Sequence, residues 1–265
     1  MTGIRQLEDR QRAWQSFHAI AGATRTLAAA QSLRWSEAAR RAETHLARCI
    51  ALHRAYPDTR SLEGAPRVVV LAVGTDLGLC GPLNRAIAEQ LAVVVNEREP
   101  ALVLVVGARL RMLVDDDVVY LSAPTSFARI EVLATEIEAL LGPQSEEHLV
   151  LVLASGVDRD GRPQVSTWDE PHPPQDSGAT RPVAELVDPE QTARASATLM
   201  RHARLVAALA RAVTSEAEAR WRTMNRAHDA AGRRIAEQQR TLDSQRQELV
   251  TQEMLEVRQG HGRRK

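Results

Sequence analysis

The chain has 265 residues, of which 44% are hydrophobic and 26% are charged, a balance typical of a soluble globular protein with one good core or two small ones. Its 34 basic and 34 acidic residues cancel, which removes the general electrostatic argument for binding nucleic acid. No uncharged apolar run approaches the roughly 18 to 20 residues of a membrane-spanning helix, so no direct membrane insertion is expected. The charged N-terminal segment lacks a signal-peptide pattern, and the two cysteines imply no disulfide framework, so we expect a cytosolic chain.

Residues 1–56 are predicted to form one long helix. Apolar or small residues recur there at a seven-residue step, which is typical of one seam of a coiled coil. The stripe is narrow, so the helix needs a partner helix, and Pro57 is expected to end it. The seam residues are Leu7, Trp14, Ala21, Ala28, Trp35, Ala42 and Cys49.

Residues 66–187 are predicted to form a small Rossmann-like α/β domain. Short, β-branched apolar runs alternate there with helical segments, which indicates a mostly parallel sheet with helices on its faces. A mobile surface loop is expected over about residues 156–180, with an edge strand within it at 164–168 and a further short strand at 183–187. The predicted buried strands are 68–73, 101–106, 118–121 and 149–153, and the predicted helices are 82–96 and 126–141.

Residues 188–260 are predicted to form a second long helix, about 100 Å in length at 1.5 Å per residue. Asp188 is the expected N-cap and Pro189 suits the first turn, whereas Gly260 is expected to stop the helix before a basic tail at 261–265. Its apolar stripe thins into a polar distal third, which a core helix would not do. The predicted architecture is therefore two long antiparallel coiled-coil helices, one from each end of the chain, flanking the α/β domain.

Three local patterns admit a chemical interpretation and a structural one. The loop from Gly74 to Gly81 follows a strand and opens a helix, but its glycine spacing matches neither a Rossmann nor a Walker fingerprint, so a tight turn that contacts a neighbouring subunit is favoured over nucleotide binding. His45, Cys49 and His53 recur every four residues, yet a packed cysteine beside two surface histidines is favoured over zinc. Asp115, Asp116 and Asp117 favour a solvated turn over a cation site. No metal site is predicted.

Three segments resemble the gamma subunit, or central rotor shaft, of F-type ATP synthases. The loop from Gly74 to Asn84 is similar to the family's T-S-D-R-G-L-C-G-G-L-N, and residues 20–30 are similar to I-T-K-A-M-K-M-V-A-A-A. The stretches 215–227 and 246–253 resemble S-E-x-x-A-R-M-x-A-M-x-x-A and A-R-Q-x-x-I-T-Q-E, with Trp221 in place of the first methionine of the former. Together with the order helix, α/β domain, helix, the resemblance extends over nearly the whole chain.

The resemblance implies a non-catalytic rotor subunit that couples ion-driven rotation to the catalytic head. The implied partners are the alpha and beta subunits of that head, the epsilon subunit and the membrane ring of c subunits, and no cofactor is implied. The implied site residues fall into two sets. Head contacts transfer to Arg25, Arg246, Gln247, Thr251, Gln252 and Glu253, and a structural loop with subunit contacts transfers to Thr75, Asp76, Gly78, Leu79, Cys80, Gly81 and Asn84.

Several departures from the family pattern indicate a divergent bacterial member. They are compatible with an alternative, N-type ATPase as well as with the housekeeping enzyme, and the residues do not decide between the two. Thr24-Arg25 replaces the family's Met-Lys pair, Pro82 replaces a glycine, and the C-terminus is charged. The expected location is the cytoplasmic face of the bacterial inner membrane. The competing hypotheses are a stand-alone nucleotide-binding α/β enzyme and an unrelated coiled-coil scaffold. Neither the coupling ion, proton or sodium, nor the direction of the reaction follows from these residues.

Overall fold

The computed structural model describes residues 2–56, 67–141, 147–158, 162–169 and 188–262. Among the described residues no helix is both long and apolar enough to cross a membrane. In chain order the elements are α1 (Thr2–Ala55), β1 (Arg67–Val73), α2 (Leu83–Arg98), β2 (Leu102–Val106), α3 (Ala108–Arg111), β3 (Val119–Leu121), α4 (Phe127–Leu141), β4 (Glu147–Val157), β5 (Pro163–Trp168) and α5 (Pro189–Gly262).

The chain divides into two compact units, and both long helices contribute to each of them. Unit 1 comprises Met1–Leu27 and Trp221–Lys265, and unit 2 comprises Ala28–Arg220. Unit 2 contains one five-stranded sheet of order β3-β2-β1-β4-β5. The four strands from β3 to β4 in that order are parallel, and only the edge strand β5 is antiparallel to its neighbour β4. The mostly parallel sheet predicted from the sequence is confirmed.

Two apolar cores cover the two faces of this sheet. On one face, α4 and the unit 2 parts of α1 and α5 bury side chains such as Ile130, Ala42 and Leu209. On the other face, α2 and α3 bury Leu83, Ile87 and Leu110. The central strand β1 contributes alternate residues to the two cores, because successive side chains of a strand point to opposite faces of the sheet. This arrangement explains its continuous apolar sequence.

In unit 1 the two terminal helices form an antiparallel pair. Glu8 pairs with Arg246 at 2.8 Å and Gln11 with Gln239 at 2.6 Å, whereas Arg25 pairs with Asn225, so the partner number falls as the number on α1 rises. The seam between them buries small residues, with Ala21 and Ala231 fully inaccessible. Small side chains let two helix axes approach closely, so the pair is thin. The predicted antiparallel coiled coil is confirmed.

The structure departs from the predicted elements at three points. Helix α5 continues to Gly262 and does not end at Gly260, because glycine permits a helix stop but does not impose one. Part of the predicted loop at 156–180 is strand: β4 extends to Val157, and β5 occupies 163–168, where the edge strand was expected. The four-residue helix α3 was not predicted. The predicted strand at 183–187 and the rest of the loop beyond Asp169 lie outside the described residues.

Candidate functional site

The loop that follows β1 is held by the side chains of two of its own residues, Thr75 and Asn84. Asn84 Oδ1 accepts a hydrogen bond from the backbone N–H of Thr75 at 3.0 Å, and Asn84 Nδ2 donates to Thr75 Oγ1 at 2.9 Å. Thr75 Oγ1 in turn donates to the carbonyl of Leu77 at 2.7 Å. Thr75 and Asn84 therefore act on the loop itself, and Thr75, at 1% exposure, is too buried to meet a partner directly.

Asp76 ties this loop to the turns that follow two other strands. Its Oδ1 accepts from the backbone N–H of Ala108, after β2, at 2.7 Å, and its Oδ2 accepts from that of Ala123, after β3, at 3.0 Å. The carboxyl ends of parallel strands lie at one edge of a sheet, so a single carboxylate reaches both turns. Asp76 is the hub of this edge.

Two glycines allow the turns at this edge to approach one another. A Cβ on Gly74 would lie 2.5 Å from Leu110 Cβ, and a Cβ on Gly107 would lie 2.5 Å from the backbone nitrogen of Thr75. Gly107 also has a φ of 102°, a conformation that side-chain-bearing residues rarely adopt. A side chain at either glycine would therefore force these turns apart.

A buried ion pair on α5 supports the loop from beneath. Arg220 forms an ion pair with Glu216 one turn earlier, both side chains being almost fully buried, and Arg220 Nε donates to the carbonyl of Gly78 at 3.4 Å. Burial raises the pKa of Glu216, although Arg220 opposes that effect. Burial also raises the pKa of the neighbouring Cys80 thiol to about 11, so this cysteine is a poor nucleophile and a packing residue.

The surface of the loop is apolar where the motif side chains turn inward. Leu77 and Leu79 are 65% and 57% exposed, and Leu79 adopts a φ of 68°, which is uncommon for a residue with a side chain. Gly81 has a φ of 60°, which suits glycine. Large exposed apolar side chains on a rigid turn are typical of a protein contact. Sequence reasoning selected Leu79 but missed Leu77, whose exposure follows from the inward turn of its neighbours.

The predicted head-contact residues lie in unit 1. Arg25 is half-buried and donates to Asn225 Oδ1 at 3.1 Å, and Arg246 pairs with Glu8. Thr251 Oγ1 donates to the carbonyl of Gln247 within α5. Gln247, Thr251, Gln252 and Glu253 are all exposed on the last turns of α5. Arg246 is exposed as well, so the structure places five of the six on an accessible surface of α5, whereas Arg25 is half-buried in the helix pair.

The far end of α5 also exposes apolar side chains that sequence reasoning did not select. Val250, Met254 and Val257 are 50%, 69% and 62% exposed and follow one another at four- and three-residue steps. That spacing places them on one helix face. The predicted polar distal third of α5 therefore also carries exposed apolar side chains. The i, i+4, i+7 pattern is the signal that could have revealed them.

The candidate metal ligands do not converge in the structure. His45 Nε2 lies 3.5 Å from Cys49 Sγ, but the Nδ1 of His53 faces the hydroxyl of Ser196 at 3.1 Å. Asp116 pairs with Arg111 at 2.7 Å. No group of three or more metal-ligating side chains occurs within the described ranges.

Comparison with known proteins identifies relatives of this fold. A family model described as ATP synthase matches residues 3–262. No curated protein sequence matches the chain. Two similar solved structures come from the mitochondrial ATP synthase of Euglena gracilis. The rotor in rotational state 1 has 13% identity and a TM-score of 0.64, and the match covers 94% of this chain and 99% of that chain. A chain of the OSCP/F1/c-ring assembly in rotational state 3 has 15% identity and a TM-score of 0.64, and the match covers 98% of this chain and 94% of that chain. The Tetrahymena thermophila mitochondrial ATP synthase central stalk and c-ring has 17% identity, a TM-score of 0.57 and coverage of 78% of this chain and 99% of that chain.

Proposed function

We propose that this chain, which belongs to the gamma-subunit family of ATP synthases, is the central-stalk rotor subunit of a rotary ATP synthase and transmits rotation between a membrane ring and a catalytic head. The observation that carries the proposal is the antiparallel helix pair of unit 1 within a family match over residues 3–262. A shaft needs length, stiffness and a small cross-section, and two long helices around an alanine seam supply all three. The chain itself is a non-catalytic part of the enzyme complex.

We infer that the head binds unit 1 through the last turns of α5. Gln247, Thr251, Gln252 and Glu253 offer hydrogen-bonding groups there, and Val250, Met254 and Val257 offer an adjacent apolar face. Mixed polar and apolar surfaces of this kind are typical of contacts that hold a partner yet release it. Arg246 contributes through the guanidinium nitrogens that do not bond to Glu8, while its Nη2 remains paired with Glu8. The partners proposed for this surface are the alpha and beta subunits.

Arg25 plays a different part in this proposal. Its guanidinium lies against Asn225 in the helix pair, so its first effect is to hold α1 to α5 near the alanine seam. A half-buried charged hydrogen bond of this kind fixes the rotation of one helix about the other. Any contact that Arg25 makes with the head is then secondary to its hydrogen bond with Asn225.

Unit 2 is proposed to bind the other partners, the epsilon subunit and the c ring. Leu77 and Leu79, on the loop that Asp76 and Arg220 stabilise, form the contact surface for a neighbouring subunit. The apolar exposure of a rigid turn supports this assignment. The motif residues Thr75, Asp76, Gly78, Cys80, Gly81 and Asn84 shape the loop.

The proposed location is the cytoplasmic face of a bacterial inner membrane, where the chain is peripheral and works in an alternative, N-type ATPase. The departures at Thr24, Arg25 and Pro82 and the charged C-terminal residues support a divergent bacterial origin. The membrane ring, and not this chain, selects protons or sodium ions.

The experiment that tests the function starts from the tagged chain produced together with the head and ring subunits of its own organism. Alpha and beta subunits should co-purify, and ATP hydrolysis should appear in that complex but not in the isolated chain. The double variant Thr251→Ala/Gln252→Ala should reduce ion transport per ATP hydrolysed in the complex. Thr241→Ala/Ser244→Ala is the matched control, because Thr241 makes the same hydrogen bond within α5, to Glu237, as Thr251 makes to Gln247.

Two outcomes would overturn the proposed function. ATP turnover by the isolated chain would favour the stand-alone enzyme. Purification of the chain without alpha and beta subunits would favour an unrelated scaffold. Equal ion transport per ATP hydrolysed in the two double variants would show that Thr251 and Gln252 do not contact the head, and would leave the rest of the proposed function unaffected.

A further inference from the structure

The two helices of unit 1 carry the same short sequence pattern, a histidine followed four residues later by a glycine. The pattern occurs at His18–Gly22 on α1 and at His228–Gly232 on α5, and at no other place in the sequence. Residues four apart lie on one face of a helix, so each histidine stands one turn from its glycine on the same face. In an antiparallel pair, two such faces can meet with each histidine opposite the glycine of the other helix.

The structure shows this reciprocal crossing. A Cβ on Gly22 would lie 3.3 Å from the ring of His228. In the same way, a Cβ on Gly232 would lie 3.6 Å from Nε2 of His18. Each histidine ring therefore fills a notch, the space left where the opposing glycine has no side chain.

The two histidines also contact each other. Their rings are stacked, with centroids 3.7 Å apart and planes inclined by 24°. Because a carbonyl oxygen only accepts hydrogen bonds, Nδ1 of His228 carries a proton and donates it to the carbonyl of His18 at 3.1 Å. The crossing is thus held from both helices at once.

The apolar seam on either side of the crossing does not define one axial position. On α1 the seam residues Leu7, Trp14 and Ala21 recur at a seven-residue step, and on α5 Met224 and Ala231 are separated by the same step. Ala21, Met224 and Ala231 are buried. Because the step repeats, a seam displaced along the axis again places apolar residues opposite apolar residues.

The polar contacts of the helix pair differ in how firmly they hold it. Glu8 and Arg246 join long, accessible side chains, which can follow a displacement by changing rotamer, and such pairs contribute little. The half-buried hydrogen bond from Arg25 to Asn225 lies one turn from the crossing and supports it.

The fit of histidine to glycine exists in one axial position only. A displacement by one helical turn, about 5.4 Å, would replace Gly22 beneath its histidine ring by Thr26, and Gly232 by Ala236. Either replacement puts a side chain where the ring now lies. Packed side chains interdigitate and do not yield freely, so sliding is opposed at this point.

We propose that the reciprocal histidine–glycine crossing is an interlock that stops α1 and α5 from sliding past each other and thereby gives the helix pair its torsional stiffness. Twisting a rod of two helices makes each helix slide along the other, so a contact that resists sliding also resists twist. His18 and His228 are positioning residues, and the two glycines supply the space that their rings need. The interlock is a property of the chain alone, whereas its use in transmitting torque rests on the proposed function.

The first test measures sliding in the isolated chain with two spin labels. Arg10→Cys on α1 and Ala230→Cys on α5 introduce labelling sites at exposed positions, and both natural cysteines are buried, so labelling is selective. Since Gln11 bonds to Gln239, residue 10 lies well beyond residue 230 along the pair, and the distance between the labels changes when one helix slides.

The labelled chain with both histidines should give one narrow distribution of distances. His18→Ala/His228→Ala should make that distribution roughly twice as wide, because alanine leaves both notches unfilled. His18→Phe/His228→Phe keeps a flat ring in each notch and should restore the narrow distribution.

A third double variant is the matched control. Gln15→Ala/Arg233→Ala changes exposed positions of the same two helices and should leave the distribution narrow. Alanine is a good helix former, and circular dichroism verifies that every variant keeps its helices.

The second test measures stiffness in the assembled complex. The head is fixed to a surface, a gold particle is attached through Glu136→Cys in unit 2, and the angle of the particle is followed without ATP. The variance of that angle should rise roughly twofold in the alanine variant, since thermal displacement grows as stiffness falls, and should stay unchanged in the phenylalanine variant and the control.

The outcomes that would overturn the proposal are distinct. A narrow distance distribution in the alanine variant, or a wide one in the phenylalanine variant, refutes the interlock. A wide distribution in the alanine variant with unchanged angular variance refutes its effect on stiffness. If the unmodified chain forms no complex with the head, the proposed function fails, whereas the label distances still decide whether the crossing is an interlock.

Discussion

The guanidinium of Arg25 donates a hydrogen bond to Asn225 Oδ1 across the helix pair of unit 1, at 3.1 Å. Arg25 was selected from sequence as a contact with another subunit, yet in this structure it joins α1 to α5. The two roles make different predictions for the isolated chain, because only the structural one affects its stability.

Replacing Arg25 by glutamine should lower the free energy of unfolding of the isolated chain by about 1 kcal/mol, the usual contribution of a partly exposed hydrogen bond to a charged group. Arg10→Gln, at an exposed position of the same helix, should change it by less than about 0.5 kcal/mol. Urea unfolding followed by circular dichroism measures both values. Equal stabilities for the two variants would assign Arg25 to partner contact alone.

Asp76→Ala should be more damaging, because it removes the acceptor for the backbone N–H groups of Ala108 and Ala123. Two hydrogen bonds to a carboxylate, left without a partner, correspond to roughly 3 kcal/mol. Asp76→Asn retains one side-chain oxygen and should lose less. Asp117→Asn, on an exposed turn, serves as the control in the same urea titration. A loss of less than about 0.5 kcal/mol in Asp76→Ala would contradict the role of Asp76 as the hub of the loop.

Two glycines in the middle of the helix pair, Gly22 and Gly232, should respond differently to alanine. A Cβ on Gly22 would lie 3.3 Å from the ring of His228, which stacks on His18 with ring centroids 3.7 Å apart and bonds to the His18 carbonyl. A Cβ on Gly232 would have ordinary contact with His18 at 3.6 Å. Glycine to alanine in a helix normally stabilises by about 1 kcal/mol.

Gly232→Ala should therefore raise the melting temperature, whereas Gly22→Ala should leave it unchanged or lower it, because the clamped His228 ring cannot retreat freely. Calorimetry of the isolated chain distinguishes the two. A rise in both variants would show that the stacked histidines move aside easily.

The stability of unit 2 should depend on pH through His202. Burial alone lowers the pKa of His202, but hydrogen bonds to Glu138 and Glu131, each 3.0 Å away, outweigh it and raise the pKa above the ordinary value of 6.5. A raised pKa in the folded state adds stability that is complete below pH 6.5 and is lost as the pH rises through the folded-state pKa. The wild-type chain should lose stability as the pH rises from 6 to 8.

His202→Gln should abolish much of this decline, and His45→Gln, at an exposed position, should retain it. Urea unfolding at several pH values gives the comparison. If stability declines as steeply in His202→Gln as in the wild type, the pairing of His202 with Glu131 and Glu138 does not control the pH dependence.

The spacing of apolar residues predicted the strands and the long helices, because the residues that a strand or helix buries must recur with its period. The apolar run at 68–73 forms β1, and the seven-residue step through Ala21 and Ala28 forms a buried seam. The spacing could not predict where α5 ends, since Gly260 tolerates either conformation. The motif residues of the loop were found by resemblance, but their inward orientation was not, because Asp76 bonds to residues 32 and 47 positions away in sequence. The acidic turn at 115–117 was correctly placed before a strand. The groove that this turn borders, on the α2 side of the sheet, could not be predicted, because it depends on how much of the sheet α2 leaves uncovered.

The most direct test of a rotor is to watch it turn. A head assembled with this chain is fixed to a surface through its beta subunits, a gold particle is attached to a cysteine introduced at Glu136 on the exposed side of α4, and ATP is added. Both natural cysteines are buried, so labelling is selective. If the chain is the rotor, the particle should rotate continuously in one direction and stop when ATP is withdrawn. A head that hydrolyses ATP while the particle shows only Brownian motion would contradict it.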